Sequence, residues 1–205
     1  MEYNTLANKE SVEKTTKSLR ERNVEVFLVE NSSEALAKIK ELIPSESSVM
    51  NGASATLNQI GFVDYLKKGE HGWGNLHEAI LNEKDPSKQA LLRKQSVLSD
   101  FYLGSVHALA ETGEFIIASN TGSQLPHIVF TSPNLIFVVS TKKIVPTLAD
   151  AMNRLNEHVI PLEDKRAKEA YGFGTAANKV LIFNGENSKM QRKVMMILIE
   201  EDLGF

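Results

Sequence analysis

The chain has no cysteine in its 205 residues. That removes disulfides, thiolate catalysis, Cys-bound zinc and iron–sulfur ligation by its own side chains. It also lacks an excess of basic charge: 23 Lys and Arg against 26 Asp and Glu leave a formal net charge of −3. Such a balance gives no electrostatic case for nucleic acid or an anionic membrane. No apolar run is long enough to span a bilayer. The opening Met1-Glu2-Tyr3-Asn4 has neither the basic nor the apolar region of a secretory signal. No Gly-x-Gly-x-x-Gly run marks a dinucleotide site, and His71 and His77 lack the spacing of a metal motif. No internal repeat or low-complexity stretch is present. These absences lead us to expect a cytoplasmic protein with no resident cofactor or metal and no nucleic-acid or membrane partner.

What remains is an ordinary globular composition, 42% hydrophobic, long enough to bury a core unaided. One domain over 1–205 is expected, with 1–22 as a helical N-terminal extension. Val24–Val29 reads as a buried strand. Asn31-Ser32-Ser33-Glu34 opens a helix with Asn31 as N-cap, and that helix stops at Pro44. Ser48-Val49-Met50 is a short strand. This rhythm predicts an α/β fold, with a largely parallel sheet flanked by helices. Residues 56–68 read as one or two short helices and 69–75 as a loop, with 69–82 the weakest part of the pattern. Asp85-Pro86 starts a helix to about residue 98 that buries Ala90, Leu91, Val97 and Leu98. A strand pair at 106–110 and 115–119 follows, then a strand at 135–140 and an amphipathic helix at 146–158. The stretch 162–177 carries no clear pattern, and 180–183 and 194–199 close the chain as strands.

Two small, polar, Gly-bearing runs adjoin apolar strands, where α/β proteins place ligand sites. The first is Asn51-Gly52-Ala53-Ser54-Ala55-Thr56. Gly52, Ser54 and Thr56 suit an anion cradle at a helix start, and equally a plain helix cap. The second is His107-Ala108-Leu109-Ala110-Glu111-Thr112-Gly113. Glu111, at a turn with Thr112 and Gly113, is the candidate reactive carboxylate: nucleophile, base or cation ligand. The bland alternative is a solvated hairpin glutamate. Asn120-Thr121-Gly122-Ser123-Gln124 follows the second strand. Lys142-Lys143 ends another, as an anion ligand or a solvated flank. Trp73, in its Gly-rich loop, is a lid or a packing plug.

Taken together, Asn51-Gly52-Ala53-Ser54-Ala55-Thr56-Leu57 with Ile60-Gly61-Phe62, Ser99-Asp100-Phe101 ahead of Glu111-Thr112-Gly113, Lys143-Ile144-Val145 and the closing Glu201-Asp202-Leu203-Gly204-Phe205 resemble the LUD-domain family. This is the lactate-utilisation protein C-like family, also called DUF162. It stands within a superfamily with ribose-5-phosphate isomerase A, glucosamine-6-phosphate deaminase and the CoA transferases. The resemblance implies an isomerase/CoA-transferase-like fold and a phosphate-type loop at Gly52–Thr56. It also makes Glu111-Thr112-Gly113 similar to the Glu-x-Gly of CoA transferases, while Gly172-Phe173-Gly174-Thr175 is a poor match to their second glycine motif. Relatives often have Asn where His107 stands, Gly-Asn-Arg where Gly122-Ser123-Gln124 stands, and Lys at the position of Lys143. The ligand set implied is therefore Gly52, Ser54, Thr56, His107, Thr112, Gly113, Asn120, Gly122, Gln124 and Lys143. Some relatives carry a cysteine cluster near 171–178, which this chain lacks. Two functions follow as expectations. One is a non-catalytic subunit that binds a small anionic metabolite in lactate or organic-acid utilisation, with iron–sulfur partner subunits. The other is an enzyme of CoA-transferase-like or sugar-phosphate isomerase-like type using Glu111.

Overall fold

The computed structural model describes residues 2–205, of Tyr171 the backbone only; Met1 of the opening run lies outside the described residues. Two sheets carry the architecture. The first has six strands among the described residues: β1 (Val24–Val29), β2 (Ser48–Asn51), β3 (Gly74–Asn75), β4 (Phe101–Gly104), β7 (Asn134–Ser140) and β10 (Lys193–Ile199). Their order is β1-β10-β7-β4-β2-β3 and every pair is parallel. The second contains β5 (Ala108–Ala110), β6 (Phe115–Ser119), β8 (Ile144–Val145) and β9 (Lys179–Phe183), in the order β8-β5-β6-β9. There β6 is antiparallel to both β5 and β9, and β8 runs parallel to β5.

Period-2 alternation explains how the sheets stack. In β7, Leu135, Phe137 and Val139 enter the apolar layer between the sheets, where they meet Leu109, Phe115 and Ile117. Ile136 and Val138 face the other way. That outer face is covered by α2 (Ser32–Leu42), α3 (Ala55–Gln59) and α4 (Phe62–Lys67), which contribute Ala35, Ile39, Leu57 and Phe62. A third layer joins Ala108, Ile116 and Val145 of the second sheet to Ala151, Leu155 and Val159. The N-terminal helix α1 (Lys9–Glu21) is capped by the Asn8 side chain, which accepts from the Ser11 N–H at 2.9 Å. It sends Val12 and Leu19 into the layer between the sheets. The cap of α2 lies at Asn31, which accepts from the Glu34 N–H at 3.0 Å.

Several sequence expectations need correction. Within 69–82, Leu76–Asn82 forms helix α5. Helix α6 (Pro86–Gln95) begins at the Asp85 cap, but no residue of it is buried. Leu91 is 53% exposed and Leu98, in the 3-10 turn that follows, 74%. Trp73 is a plug: it is buried and donates its indole N–H to the Ile43 carbonyl at 3.2 Å. Helix α7 (Leu148–Arg154) opens on a Thr147–Asp150 capping box and then continues through a π-turn (Leu155–Val159) into α8 (Ile160–Tyr171). The helical stretch thus runs well beyond 158. Gly172 closes it with a left-handed φ of 78°, the conformation that favours glycine at a helix end. Among the described residues no helix is long and apolar enough to cross a membrane.

Candidate functional site

A cavity of about 380 Å³ opens where β2, β4 and β7 end and the first strands of the second sheet begin. Such carboxyl ends are where open α/β sheets bind ligands. Three segments leaving the strands form its floor: Gly52–Thr56 after β2, Ser105 and Val106 after β4, and Lys143 on the 3-10 turn after β7. His107, Ala118 and Gln124 come from the second sheet and the loop beyond it, while Glu163 and Arg166 of α8 line the opposite wall.

Lys143 is the central group. Its side chain is buried, and Nζ donates to Thr56 Oγ1 at 3.3 Å, Ser105 Oγ at 3.1 Å and the Val106 carbonyl at 3.1 Å. All three partners are neutral oxygens. Burial, with the positive charges of Arg154 and Lys142 nearby, pushes its ammonium down to about 7. The adjacent Lys142 is also buried, paired with Asp202 and donating to the Gly204 carbonyl at 2.9 Å. Neither lysine is the solvated flank that a surface charge pair suggests.

His107 Nδ1 accepts from the Ala118 N–H at 3.1 Å, which assigns the ring proton to Nε2. Burial and the charges of Lys143 and Arg154 hold its pKa down to about 3, so the imidazole is neutral. Behind it lies Arg154, with no exposed surface, donating from Nη1 to the His107 carbonyl. Arg154 Nε and Nη2 have no partner among the described residues. A buried guanidinium with no carboxylate bonded to it among the described residues is costly, and after burial itself its charge is one of those that lower both His107 and Lys143.

The expected ligand residues separate into two places. Gly52, Ser54, Thr56, His107, Asn120, Gln124 and Lys143 line the cavity. Ser54 also caps α3 through the Leu57 N–H at 3.2 Å, so its cap reading and its position at the cavity coexist. Gln124 is a strut: its amide donates to the Ala118 carbonyl at 2.9 Å, and its oxygen accepts from the Tyr102 hydroxyl at 3.2 Å. Asn120 accepts from the Asn178 side chain at 2.6 Å. Gly122 adjoins the cavity at the Ser119–Gln124 bend, its N–H donating to Ser119 Oγ at 2.9 Å.

Glu111, Thr112 and Gly113 do not line the cavity. The Glu111 carboxylate accepts from Ser11 Oγ at 2.6 Å and Lys14 Nζ at 2.8 Å, both on α1. Those hydrogen bonds hold it below the usual glutamate range. The Thr112 carbonyl accepts from Arg22, and Gly113 packs against the Arg22 side chain. The reason is the geometry of the hairpin. His107 stands just before β5 and Glu111 just after it, four residues on, which at the strand rise is roughly 13 Å. The cavity takes one end of the hairpin and the Glu111 turn occupies the other. The two Gly-bearing runs, read alike from the sequence, therefore do not share one pocket: Ser54 lines the cavity and Glu111 does not.

Sequence reasoning missed Ser105, Arg154, Glu163 and Arg166. Ser105 carried a usable signal. The apolar run Phe101-Tyr102-Leu103 ends in Gly104-Ser105, much as Val49-Met50 runs into Asn51-Gly52. In α8, Glu163 and Arg166 pair at 2.8 and 2.5 Å across one turn; their stretch looked featureless without the helix. Among the described residues no group of three His, Asp or Glu side chains is placed to hold a metal ion.

No curated protein matches the chain significantly. Its fold is similar to the crystal structure of a DUF162 family protein from Deinococcus radiodurans, with a TM-score of 0.57 over 95% of this chain and 99% of that one. Sequence identity between the two is 13%, so the likeness shows the fold alone. The family model for the LUD domain matches residues 12–189, a span that includes the cavity lining from Gly52 to Ala177 but not Gly204 and Phe205, and the chain belongs to the LUD-domain family.

Proposed function

We propose that this LUD-domain protein binds a small anionic metabolite in the cavity beside Lys143, in the service of lactate or related organic-acid utilisation. Any iron–sulfur chemistry of such an assembly belongs to partner chains, since this sequence has no thiolate ligands. The supporting observation is Lys143 itself. It is a buried amine at the cavity floor, protonated below about pH 7, whose partners are two hydroxyls and a carbonyl, with no carboxylate paired to it among the described residues. An anion supplies the missing charge. The volume of about 380 Å³ sits at the small end of the roughly 300–1,000 Å³ range for metabolite sites.

Binding is then coupled to protonation. The free amine titrates at about 7, and an anion beside it raises that value, so the ligand carries a proton in with it above pH 7. Titration calorimetry with lactate, pyruvate and inorganic phosphate at pH 8, in buffers of different ionisation enthalpy, reads this directly. The expected result is uptake of up to about one proton per ligand, lost together with binding in Lys143→Met. Binding that is indifferent to Lys143→Met, or no binding of any of these anions, would overturn the reading.

A further inference from the structure

We propose that Ser105 and Lys143 form a serine–lysine pair that transfers the acyl group of a small ester or thioester, with Ser105 as the nucleophile. The proposal rests on the binding reading above in one respect: the acid released is the anion that the cavity holds.

The geometry carries it. Ser105 directly follows β4, a central strand of the parallel sheet, and its half-buried side chain lines the cavity. Its hydroxyl oxygen lies 3.1 Å from Lys143 Nζ, within reach of direct proton transfer. The other two partners of Nζ complete the arrangement. The Val106 carbonyl can only accept, and Thr56 Oγ1 is free to accept, so they take both N–H groups of a neutral amine. The lone pair is left for the Ser105 O–H. In the ammonium form the same contact reverses and Nζ donates to Ser105. One side chain thus serves as base and then as acid with no change of rotamer.

The charged groups around Nζ favour this use. Arg154 lies behind it, Lys142 precedes it and neutral His107 shares its cavity, while Glu163 across the cavity is held by Arg166. No carboxylate at Nζ locks it as an ammonium, and its value of about 7 places it where a general base works best at neutral pH.

The chemistry balances with water as the second substrate. Ser105 Oγ attacks the acyl carbon and its proton passes to Lys143 Nζ. The bond from the acyl carbon to the leaving oxygen or sulfur breaks, and that atom takes the proton back from Nζ. Water then attacks the acyl-serine, gives its proton to Nζ, and Ser105 leaves with that proton. The acid product then gives its proton to the neutral Lys143 Nζ, leaving a carboxylate beside the ammonium.

An alkyl fluorophosphonate and p-nitrophenyl acetate test the pair on the full chain. The expected phosphonyl adduct sits on Ser105, forms faster as pH rises through about 7, and forms about 10²-fold more slowly in Lys143→Met. Ester turnover should fall by the same factor in Ser105→Ala. The absence of native cysteine allows an independent measurement, because Ser105→Cys introduces a sole thiol. Its pKa, followed by iodoacetamide alkylation, should lie about one unit or more below that of the Ser105→Cys, Lys143→Met double variant. An adduct on another residue, no adduct at all, or a thiol pKa unmoved by Lys143→Met would overturn the pair. If lactate or pyruvate still binds in a Lys143-dependent manner under those outcomes, the binding reading stands and only the acyl-transfer proposal falls.

Discussion

Gly52 shows how one residue at the cavity is fixed by its neighbours. A Cβ there would collide with the Tyr102 hydroxyl and lie 3.2 Å from the Gln124 side-chain oxygen. Tyr102 has little room to yield. It is buried, its ring stacks on His127 at 4.6 Å, and its hydroxyl is bonded to Gln124. Glycine is required here for close approach, not for an unusual φ. We expect Gly52→Ala to cost about 1–3 kcal/mol, the usual penalty for an extra methyl in a packed site. Tyr102→Phe removes the offending oxygen. The double variant should therefore be more stable than the sum of the two single changes predicts, because the two sites share one contact. Urea unfolding of all four proteins measures this coupling, and strict additivity would show that the clash is not what selects glycine.

At the scale of elements, the Glu111 turn belongs to the docking of α1. Its carboxylate ties Ser11 and Lys14 to the far end of the β5–β6 hairpin, and Arg22 at the end of α1 holds the same turn through Thr112 and Glu114. Glu111→Gln should leave ligand binding and any acyl transfer unchanged while loosening α1, read as faster amide exchange over 9–21. A loss of activity by orders of magnitude would instead restore Glu111 to the chemistry. Much of this architecture was legible beforehand. The apolar runs 135–139 and 194–199 are buried parallel strands with few alternatives, and the Asn31 and Asp85 caps announced their helices, whereas 24–29, read as buried, is an edge strand on which Glu25 and Leu28 are exposed. The failures have physical causes. In α6, Ala90 and Leu91 fit a helical stripe, but a stripe shows only that a face is apolar, not that anything lies across from it. The helix from 148 to 171 was expected to end at 158 because the polar, Gly-bearing stretch 162–177 shows no helical pattern, and Pro161 stands between the two parts. The π-turn just before it shifts the hydrogen-bond pattern, so a proline at the start of α8 is tolerated. At the site, Gly52–Thr56, His107, Gln124 and Lys143 were legible because strand ends converge. Glu111 was misplaced because a hairpin has two ends and sequence does not say which one faces the cavity.

Over the whole molecule, the unusual quantity is how much buried basic chemistry the fold keeps uncharged. His127, between the sheets, hydrogen-bonds Ser99 and Ser132 through Nδ1, and burial lowers its pKa to about 4. His107, at the cavity, is lowered to about 3. Both bind protons in the unfolded chain near 6.5 and not in the folded one, so stability falls as pH drops from about 6.5 towards those values. Each histidine contributes a slope on the order of 1 kcal/mol per pH unit. Lys143 acts in the same direction at higher pH. Folded, it titrates at about 7, whereas unfolded it stays protonated to about 10.4. Between these values the unfolded chain again holds the extra proton, and stability rises with pH. Tyr102 sets the upper limit. Burial raises its hydroxyl above the ordinary value, so the unfolded chain ionises first beyond pH 10 and the trend reverses. The expected profile climbs from pH 4 to a maximum near pH 9–10, on the alkaline side of the range of about 5–8 where most proteins peak. Urea midpoints from pH 4 to 10 measure it. His127→Gln should remove one histidine's share of an acid slope that His107 and His158 continue to carry, and Lys143→Met should flatten the profile above pH 7 and soften the acid limb slightly, because after burial itself the Lys143 charge helps to lower His107. A midpoint that does not change between pH 7 and 9 in the parent protein would mean that Lys143 is charged in the folded state, and would remove the basis for its use as a general base.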